Sequence, residues 1–407
     1  MSDLHLHLRT LTPLWTGGVD PTCDRLHETG LIGSLRWWYE ALVRGLGGYA
    51  CDPTSDDPEA RCEFDTKAYE QAKKDGKGET EAIQAGLHTV CPVCYLFGAT
   101  GWARLFQLRA IKVPMTPLHF RTTLKMNQGW LKRVFGGDNQ NIDSLQVPYG
   151  TLTFQLIPRR YDADYAISQI ALILHIAAEY GGIGARLQHG FGQFVFPPEL
   201  SDISLESGLA QLKTKIQEGF LRSSGSTVNT PYNMSNFVSM TFEIYENALG
   251  NFMQKESHVG TFRMQQERRY IPCAFDLRYK GSGKFGMRQW LKGEGWKETK
   301  NPKALEELDW LLGPRSQWGS GGNTNSIDDE LRTASRVFFG MPYQKSAAQG
   351  IYILRIWTFL PHEIRHKLSD IQALKNLVEE YMRFAFGDKA QLVSSTFGKD
   401  ILAGGTK

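Results

Sequence analysis

Four of the six cysteines in this 407-residue chain frame one polar segment, and their thiols could together bind a metal ion. Cys51 and Cys62 come first, and Cys91 and Cys94 follow with the C-x-x-C spacing of a zinc knuckle. Four thiolates complete the tetrahedral set of a structural zinc site, and such a metal would fix a segment with little apolar surface to bury. Two alternatives stay open: a redox C-x-x-C pair, which would need a βαβ context, and ordinary buried cysteines.

A glycine-rich stretch from Gly181 to Phe194 carries Arg186 and His189 among five glycines. It follows an apolar run with helical spacing and precedes a short apolar strand, so it is predicted to be a helix-to-strand turn. This position excludes a P-loop, whose glycines precede a helix and use its N–H groups to hold phosphate. An anion here would be held by N–H groups of the turn together with Arg186 and His189; the alternative is a helix C-cap and a tight turn.

The charges are unevenly distributed along a chain whose net charge is only +3. Residues 52–81 carry ten acids against five bases, residues 82–137 carry no acid, and residues 263–300 carry ten bases against four acids. This pattern favours a polyanion-binding face, although the bases could also be scattered over a solvated surface. The chain has no apolar run long enough to span a membrane and no signal-peptide pattern at its start, so we expect a cytoplasmic protein without a membrane partner.

The elements that must position these residues have an α+β order in the first half. Alternation predicts a strand at Leu4–Arg9, and helical spacing predicts a helix from Leu35 to Leu46. Further strands are predicted at 104–113, 150–158 and 191–196, with a helix at 167–180 and a long basic loop at 114–148. Strand, helix, strand, strand, helix, strand is the split βαβ or ferredoxin-like pattern, whose open sheet face binds RNA in some modules.

The second half has a similar but less regular pattern. Strands are predicted at 237–245 and 350–360 and a helix at 370–386. Arg288 and Trp290 repeat the spacing of Arg36 and Trp38, which indicates a weak internal duplication. We expect an N-terminal domain at 1–200 with an insertion at about 51–94, a connector at 201–235 and a C-terminal domain at 236–407.

Several longer motifs resemble the RAMP superfamily. They are Glu28-Thr-Gly-Leu-Ile-Gly-Ser-Leu-Arg-Trp-Trp-Tyr39, Cys91-x-x-Cys94-x-Leu-Phe-Gly-Ala-Thr-Gly-Trp-Ala-Arg104 and Gly184-x-Arg186 with His189-Gly-Phe-Gly192. Within that superfamily they look most like the first-subunit family of Cmr complexes, the type III-B CRISPR effectors. Two later motifs, Phe275-Asp-Leu-Arg-Tyr and Arg332-Thr-Ala-Ser-Arg-Val-Phe-Phe-Gly, fit the same family.

The resemblance implies two tandem ferredoxin-like (RRM-like) RAMP domains in a non-catalytic, RNA-binding subunit. It also implies contact with the 3′ part of the guide (CRISPR) RNA, help in capturing target RNA for antiviral defence, and other RAMP subunits as partners. Arginines and one histidine would contact phosphates, and aromatic residues would stack on bases. The candidate RNA-binding residues are Trp15, Arg36, Trp37, Arg44, Arg104, Arg186, His189, Phe191, Arg288 and Arg336.

Two other functions remain compatible with the sequence. One is a RAMP-type, metal-independent endoribonuclease that cuts guide precursor with a histidine such as His189 or His27 as acid or base. The other is a scaffold whose basic faces bind proteins instead of RNA. No nucleophile–base pair, zinc-protease motif or paired carboxylate stands out, and we therefore expect no catalysis.

Overall fold

The computed structural model mixes helices with antiparallel strands, which confirms the α+β class. It describes residues 3–17, 23–121, 141–159, 161–225, 230, 232–256, 261–264, 271–272, 274–278, 286–296, 302–313, 335–346 and 350–404. In the first half the strands are β1 Leu4–Thr10, β2 Phe106–Lys112, β3 Met115–Arg121, β4 Asn141–Pro148, β5 Thr151–Pro158 and β6 Phe194–Val195. The helices are α1 Glu28–Gly45, α2 Thr66–Lys74, α3 Glu79–Gly86, α4 Pro92–Phe97, α5 Ala163–Tyr180 and α6 Leu205–Gln217.

The second half adds seven described strands and six described helices. The strands are β7 Phe237–Tyr245, β8 Thr261–Met264, β9 Ile271–Pro272, β10 Val337–Phe339, β11 Tyr343–Ser346, β12 Ile351–Phe359 and β13 Ala390–Phe397. The helices are α7 Glu246–Glu256, α8 Ala274–Arg278, α9 Met287–Trp290, α10 Pro302–Leu312, α11 Ile371–Phe386 and α12 Gly398–Ala403. Within the part of the chain that is described, no helix combines the length and apolar character needed to cross a membrane.

Four strands of the first half form an antiparallel sheet in the order β2-β5-β1-β6. Strand β5, the third of the four along the chain, lies between β1 and β2, the first and second. This is the strand order of a split βαβ pattern. Strand β1 alternates because successive side chains point to opposite faces of a sheet. Its Leu6 and Leu8 are buried, while His5, His7 and Arg9 are exposed.

The exposed face of this first sheet is polar and basic. Its side chains come from alternate residues of three strands and include His5, His7, Arg9, Gln107, Arg109, Thr151, Thr153 and Gln155. Within the described strands, no aromatic side chain projects from this face. Base stacking of the kind used by RNA-recognition modules is therefore not available there, although phosphate contact is.

The second half repeats the strand order of the first. Its sheet runs β10-β12-β7-β13, with β11 paired to the other part of β12. Both faces of its central strand β7 are buried over residues 237–240. Val238 and Met240 join one core with α7 and α11, whereas Phe237 on the opposite face joins the core of the first half. The two halves therefore share a continuous interior.

Helices α1 and α5 lie between the two sheets. Fourteen of the eighteen residues of α5 are buried, as expected for a helix covered on both sides. On α1, Trp38 packs edge-on against Phe237, and Trp37 packs against Phe338 and Phe359. The layers are thus first sheet, α1 with α5, second sheet, and α7 with α11.

Two sequence expectations were wrong. Helix α1 begins at Glu28 instead of Leu35. Gly30 therefore lies in its first turn, where it packs closely against Thr16. The predicted loop at 114–148 contains β3 and β4, which pair with each other; β3 also pairs with β8 from the second half. Residues 122–140 lie outside the described residues. A third sheet, β4-β3-β8-β9, thus joins the two halves.

Candidate functional site

The four predicted cysteines lie together at the base of the insertion, and we call them the cysteine cluster. Cys51 and Cys62 come from the segment after α1, and Cys91 and Cys94 flank the first turn of α4. All four are buried, and their Sγ atoms lie within 4.8 Å of one another. The Sγ atoms of Cys51 and Cys94 are 3.3 Å apart, and the backbone N–H of Cys91 donates to Cys62 Sγ at 3.3 Å. This arrangement is compatible with a structural metal ion.

The donor chemistry of the cluster suits a soft, tetrahedral metal. Zinc–sulfur bonds of about 2.3 Å place the sulfurs of a tetrahedral site about 3.8 Å apart, so the observed spacing needs only small adjustments. Burial raises the pKa of the Cys91 thiol, but hydrogen bonds from the other three thiols outweigh it and hold that pKa well below its usual value. One thiolate is therefore already favoured by the cluster itself.

The guanidinium of Arg36 on α1 contacts this cluster. Its Nη2 lies 3.3 Å from Cys94 Sγ and 3.8 Å from Cys51 Sγ, while its Nε donates to Glu40 at 2.9 Å. Arg44 donates to the same Glu40 carboxylate at 3.3 Å and to the carbonyl of Tyr232 at 3.4 Å. Both arginines were predicted to contact phosphate, but the structure engages them within the protein. Their contact with RNA stays a prediction.

A second candidate site lies where the two halves meet, in residues 181–193, which we call the junction loop. The backbone N–H of Met341 donates to the carbonyl of Gly190 at 2.9 Å. The backbone N–H of Gly192 donates to the carbonyl of Pro13 at 2.8 Å. Gly190 has φ +93°, and a Cβ on it would lie 2.4 Å from Met341 N. Gly192 has φ +88°, and its Cβ would lie 2.0 Å from Ile183 O. Only glycine fits these two positions, because both the left-handed backbone and the close approach exclude a side chain.

At the junction loop, an arginine side chain packs over a pair of aromatic rings. The guanidinium of Arg186 lies 5.2 Å from the ring centroid of Trp15, which packs edge-on against Phe191 at 5.4 Å. Arg186 and His189 are half-buried. Burial, together with the cations of Arg278 and Arg186, holds the pKa of His189 well below its usual value. These effects favour the neutral imidazole, and the two arginines that contribute come from different halves of the molecule.

Trp15 and Phe191 were predicted to stack on RNA bases. Trp15 is 1% exposed and Phe191 is 0% exposed, and Trp15 packs against both Phe191 and the guanidinium of Arg186. Stacking on a base would require the segment around Trp15 to open. Their role in base stacking stays a prediction.

The remaining predicted RNA contacts lie apart from the junction loop. Trp37 is half-buried against Tyr232, Phe338 and Phe359. Arg336 is buried; it lies 4.8 Å from the ring centroid of Tyr232 and donates to the Tyr232 hydroxyl.

Arg104 and Arg288 differ in exposure. Arg104 is half-buried beside the turn at Gly98. Arg288 is 1% exposed; it pairs with Asp309 at 2.5 Å and donates to the backbone carbonyls of Leu308 and Gly313. It lies on α9 and not on the first helix of the second half, which is α7. The spacing shared by Arg36 and Arg288 therefore does not mark equivalent helices.

Sequence reasoning missed two arginines that the structure places next to the junction loop. Arg278 ends α8 and faces His189; its signal was the motif Phe275-Asp-Leu-Arg, which carried the family resemblance but was not assigned a contact. Arg355 donates to the carbonyls of Ala178 and Gly181 at 2.6 and 3.4 Å, at the negative end of α5. Its signal was a lone charge within a buried apolar strand.

Comparison with known proteins confirms the predicted superfamily. Residues 7–195 match the family model of the RAMP superfamily. No curated protein sequence matches the chain. The crystal structure of apo Cmr1 from Pyrococcus furiosus is similar at 14% identity and a TM-score of 0.36, over 89% of this chain and 88% of that one. A cryo-EM structure of the type III-B Cmr-β complex bound to cognate target RNA and AMPPNP is similar at 11% identity and a TM-score of 0.42. That match covers 94% of this chain and 100% of the other.

Proposed function

Because residues 7–195 match the family model of the RAMP superfamily, we propose that this chain is an RNA-binding subunit of a type III-B CRISPR effector complex. It contacts the 3′ part of the guide RNA, helps to capture target RNA, and has other RAMP subunits as neighbours. The Glu28–Tyr39 and Cys91–Arg104 motifs, which resemble first Cmr subunits, support this assignment beyond the superfamily.

The observation that carries RNA binding is the convergence of cations at the junction loop. Arg186 of the first half and Arg278 of the second both act on His189, so each contributes to one positive potential. A phosphate here would meet the half-buried guanidinium of Arg186, a group that holds phosphate in bidentate geometry, while the buried Arg278 adds positive potential nearby. Because the halves meet at this loop, a single strand bound along it would touch both of them. Contacts of this kind position RNA without reading its sequence.

We propose that the subunit binds RNA without cutting it. Metal-independent cleavage needs a base for the attacking hydroxyl and an acid for the leaving oxygen, both titrating near neutral pH. At the junction loop, burial together with Arg278 and Arg186 disfavours protonation of His189, so it is poorly suited to act as the acid. Incubation of labelled repeat RNA with the full chain should leave the RNA intact. A defined product that disappears with His189→Ala would instead establish the nuclease.

We also propose that the cysteine cluster holds one structural zinc ion. Cys51, Cys62, Cys91 and Cys94 would supply the ligands, and the metal would tie both ends of the insertion to α4. The insertion between them is formed by short helices with a single buried alanine on α2, so its own apolar contacts stabilise it little. This zinc would have a structural role and would take no part in RNA chemistry.

RNA binding can be tested by fluorescence anisotropy of a labelled single-stranded CRISPR-repeat RNA with the full chain. Arg186→Ala should weaken binding about tenfold and lower the slope of log K against log salt by about 0.7, the value for one phosphate contact on a single strand. Lys74→Ala is the matched control, because it removes one positive charge from an exposed helical position in the acidic insertion. Equal affinities for the two variants would contradict the proposed role of the junction loop.

A further inference from the structure

We propose that Arg36 is the outer-shell partner of the metal centre, donating to the thiolates of Cys94 and Cys51 and fixing the cluster to α1. This inference rests on the proposed zinc in the cysteine cluster and adds a residue that is not itself a ligand. It assigns to Arg36 a task different from the phosphate contact predicted from the sequence. Arg36 is here a positioning residue, since it acts on the metal through the sulfurs.

The geometry of the guanidinium matches this role. One nitrogen, Nη2, faces both sulfurs, at 3.3 Å from Cys94 Sγ and 3.8 Å from Cys51 Sγ. These separations are those of N–H donors to sulfur, which is larger than oxygen. The side chain is only 16% exposed, so these contacts are shielded from water. Outer-shell hydrogen bonds of this kind orient ligands and tune a metal centre.

The charge of the metal centre gives Arg36 its importance. Four thiolates outweigh the charge of a zinc ion, so a loaded cluster is anionic inside a buried site. Burying an unpaired charge is costly, and a buried cation close to the anionic sulfurs offsets that cost. Arg36 contacts two of the four ligands. Its removal should therefore weaken metal binding even though all four ligands remain.

Glu40 holds Arg36 in place along one face of α1 and also binds Arg44. Glu40 accepts from Arg36 Nε at 2.9 Å and from Arg44 at 3.3 Å, at the i, i+4 spacing that brings helix side chains together. Arg44 in turn donates to the carbonyl of Tyr232, in the segment leading to the second sheet. A continuous series of contacts thus runs from the metal ligands to the connection between the two halves.

Zinc retention in purified full-length protein tests this inference. Wild type should carry one zinc per chain by metal analysis and release it slowly to a chromogenic chelator. Arg36→Met keeps the length of the side chain but removes the donor and the charge. It should lower zinc affinity about 10- to 100-fold, the usual effect of losing an outer-shell partner. Arg36→Lys restores a cation without the bridging geometry and should give an intermediate value.

Arg44→Met is the matched control, because it removes the same charge from the same helix without contacting a sulfur. It should retain zinc within about twofold of wild type, because Arg36 keeps its own bond to Glu40 and both of its contacts with sulfur. The cobalt-substituted protein adds a spectroscopic test. Loss of the Arg36 hydrogen bonds should shift the thiolate-to-cobalt charge-transfer band to lower energy, whereas Arg44→Met should leave that band in place.

The outcomes separate the inference from the proposed metal. A folded Arg36→Met protein with the zinc affinity and cobalt spectrum of wild type would overturn the role of Arg36 and leave the metal centre intact. Wild-type protein that binds neither zinc nor cobalt would overturn the metal centre and with it this inference. Neither result would bear on RNA binding at the junction loop. If Arg36→Met does not fold, the Arg36→Lys protein decides through the same band shift.

Discussion

The cysteine cluster and the junction loop both contain an arginine that the sequence assigns to phosphate, but the two arginines have different surroundings. At the cluster, Arg36 already meets two sulfurs and the Glu40 carboxylate. At the junction loop, Arg186 lies over the Trp15 ring, and burial together with Arg278 and Arg186 lowers the pKa of His189. The first site brings a cation to anionic partners, and the second concentrates cations.

This difference shows what decides the role of an arginine in this fold. A guanidinium whose partners are thiols and a carboxylate of the same chain stabilises that chain. A guanidinium grouped with other cations strengthens a positive electrostatic potential that attracts an external polyanion. The following predictions test that contrast, from the largest expected effect to the smallest.

Breaking the cysteine cluster should have the largest effect. Cys91→Ser removes a ligand that the other three thiols face, so the metal and the contacts that fix the insertion are lost together. We expect protease cleavage within residues 51–94 to become at least about 100-fold faster, measured by limited proteolysis and mass spectrometry. Cys23→Ala, at a buried cysteine outside the cluster, should leave that rate near wild type. Equal cleavage in both variants would mean that the cluster does not hold the insertion.

A side chain at Gly190 should separate the two halves at the junction loop. Gly190→Ala combines a left-handed φ with a Cβ 2.4 Å from Met341 N, and should cost about 3 kcal/mol of unfolding free energy. Gly47 has a similar φ, +80°, but a Cβ there meets no atom within 4 Å. Gly47→Ala should therefore cost only about 1 kcal/mol. Urea denaturation of both variants measures the difference, and equal costs would refute the close packing at Gly190.

The pH dependence of stability should report the cations around His189. Burial, Arg278 and Arg186 lower its pKa in the folded state, so below about pH 6.5 the unfolded chain binds a proton that the folded chain does not. Stability is therefore lost as the pH falls from 6.5 toward the folded-state pKa, by up to about 1.4 kcal/mol per pH unit. His189→Gln should remove this part of the slope in urea titrations between pH 5 and 7. An unchanged slope would contradict the lowered folded-state pKa of His189.

The smallest effect is expected for RNA binding by the α1 arginine that touches no sulfur. Arg44 is engaged by Glu40 and by the Tyr232 carbonyl, so Arg44→Met should change RNA affinity by less than about twofold. Anisotropy with the same repeat RNA used for Arg186→Ala provides the comparison. A loss as large as that of Arg186→Ala would show that α1 also contributes to the RNA surface.

The sequence predicted the parts of this molecule that depend on local spacing. The C-x-x-C pair and its two companions identified the cysteine cluster, because metal ligands of one segment are close in the chain. Alternation identified β1, and helical spacing identified most of α5. Their order along the chain indicated the strand order of the first sheet, which the second sheet shares and the third does not.

The parts that the sequence did not reveal depend on contacts between distant residues. Strand β3 pairs with β8, more than one hundred residues away, and no local sequence pattern predicts such a pairing. Arg36 and Arg186 have the same side chain, and only the fold shows that one contacts two thiols and the other lies over the Trp15 ring. Burial of Trp15 beneath Arg186 likewise depends on the junction between the halves.

Ultraviolet cross-linking of the native effector complex, followed by mass spectrometry of nucleotide-bearing peptides, tests the central claim most directly. Our account predicts that cross-linked peptides from this subunit include the junction loop around Arg186, His189 and Phe191. It predicts none from the Arg36–Arg44 face of α1. Cross-links confined to α1, with an unmodified junction loop, would contradict it.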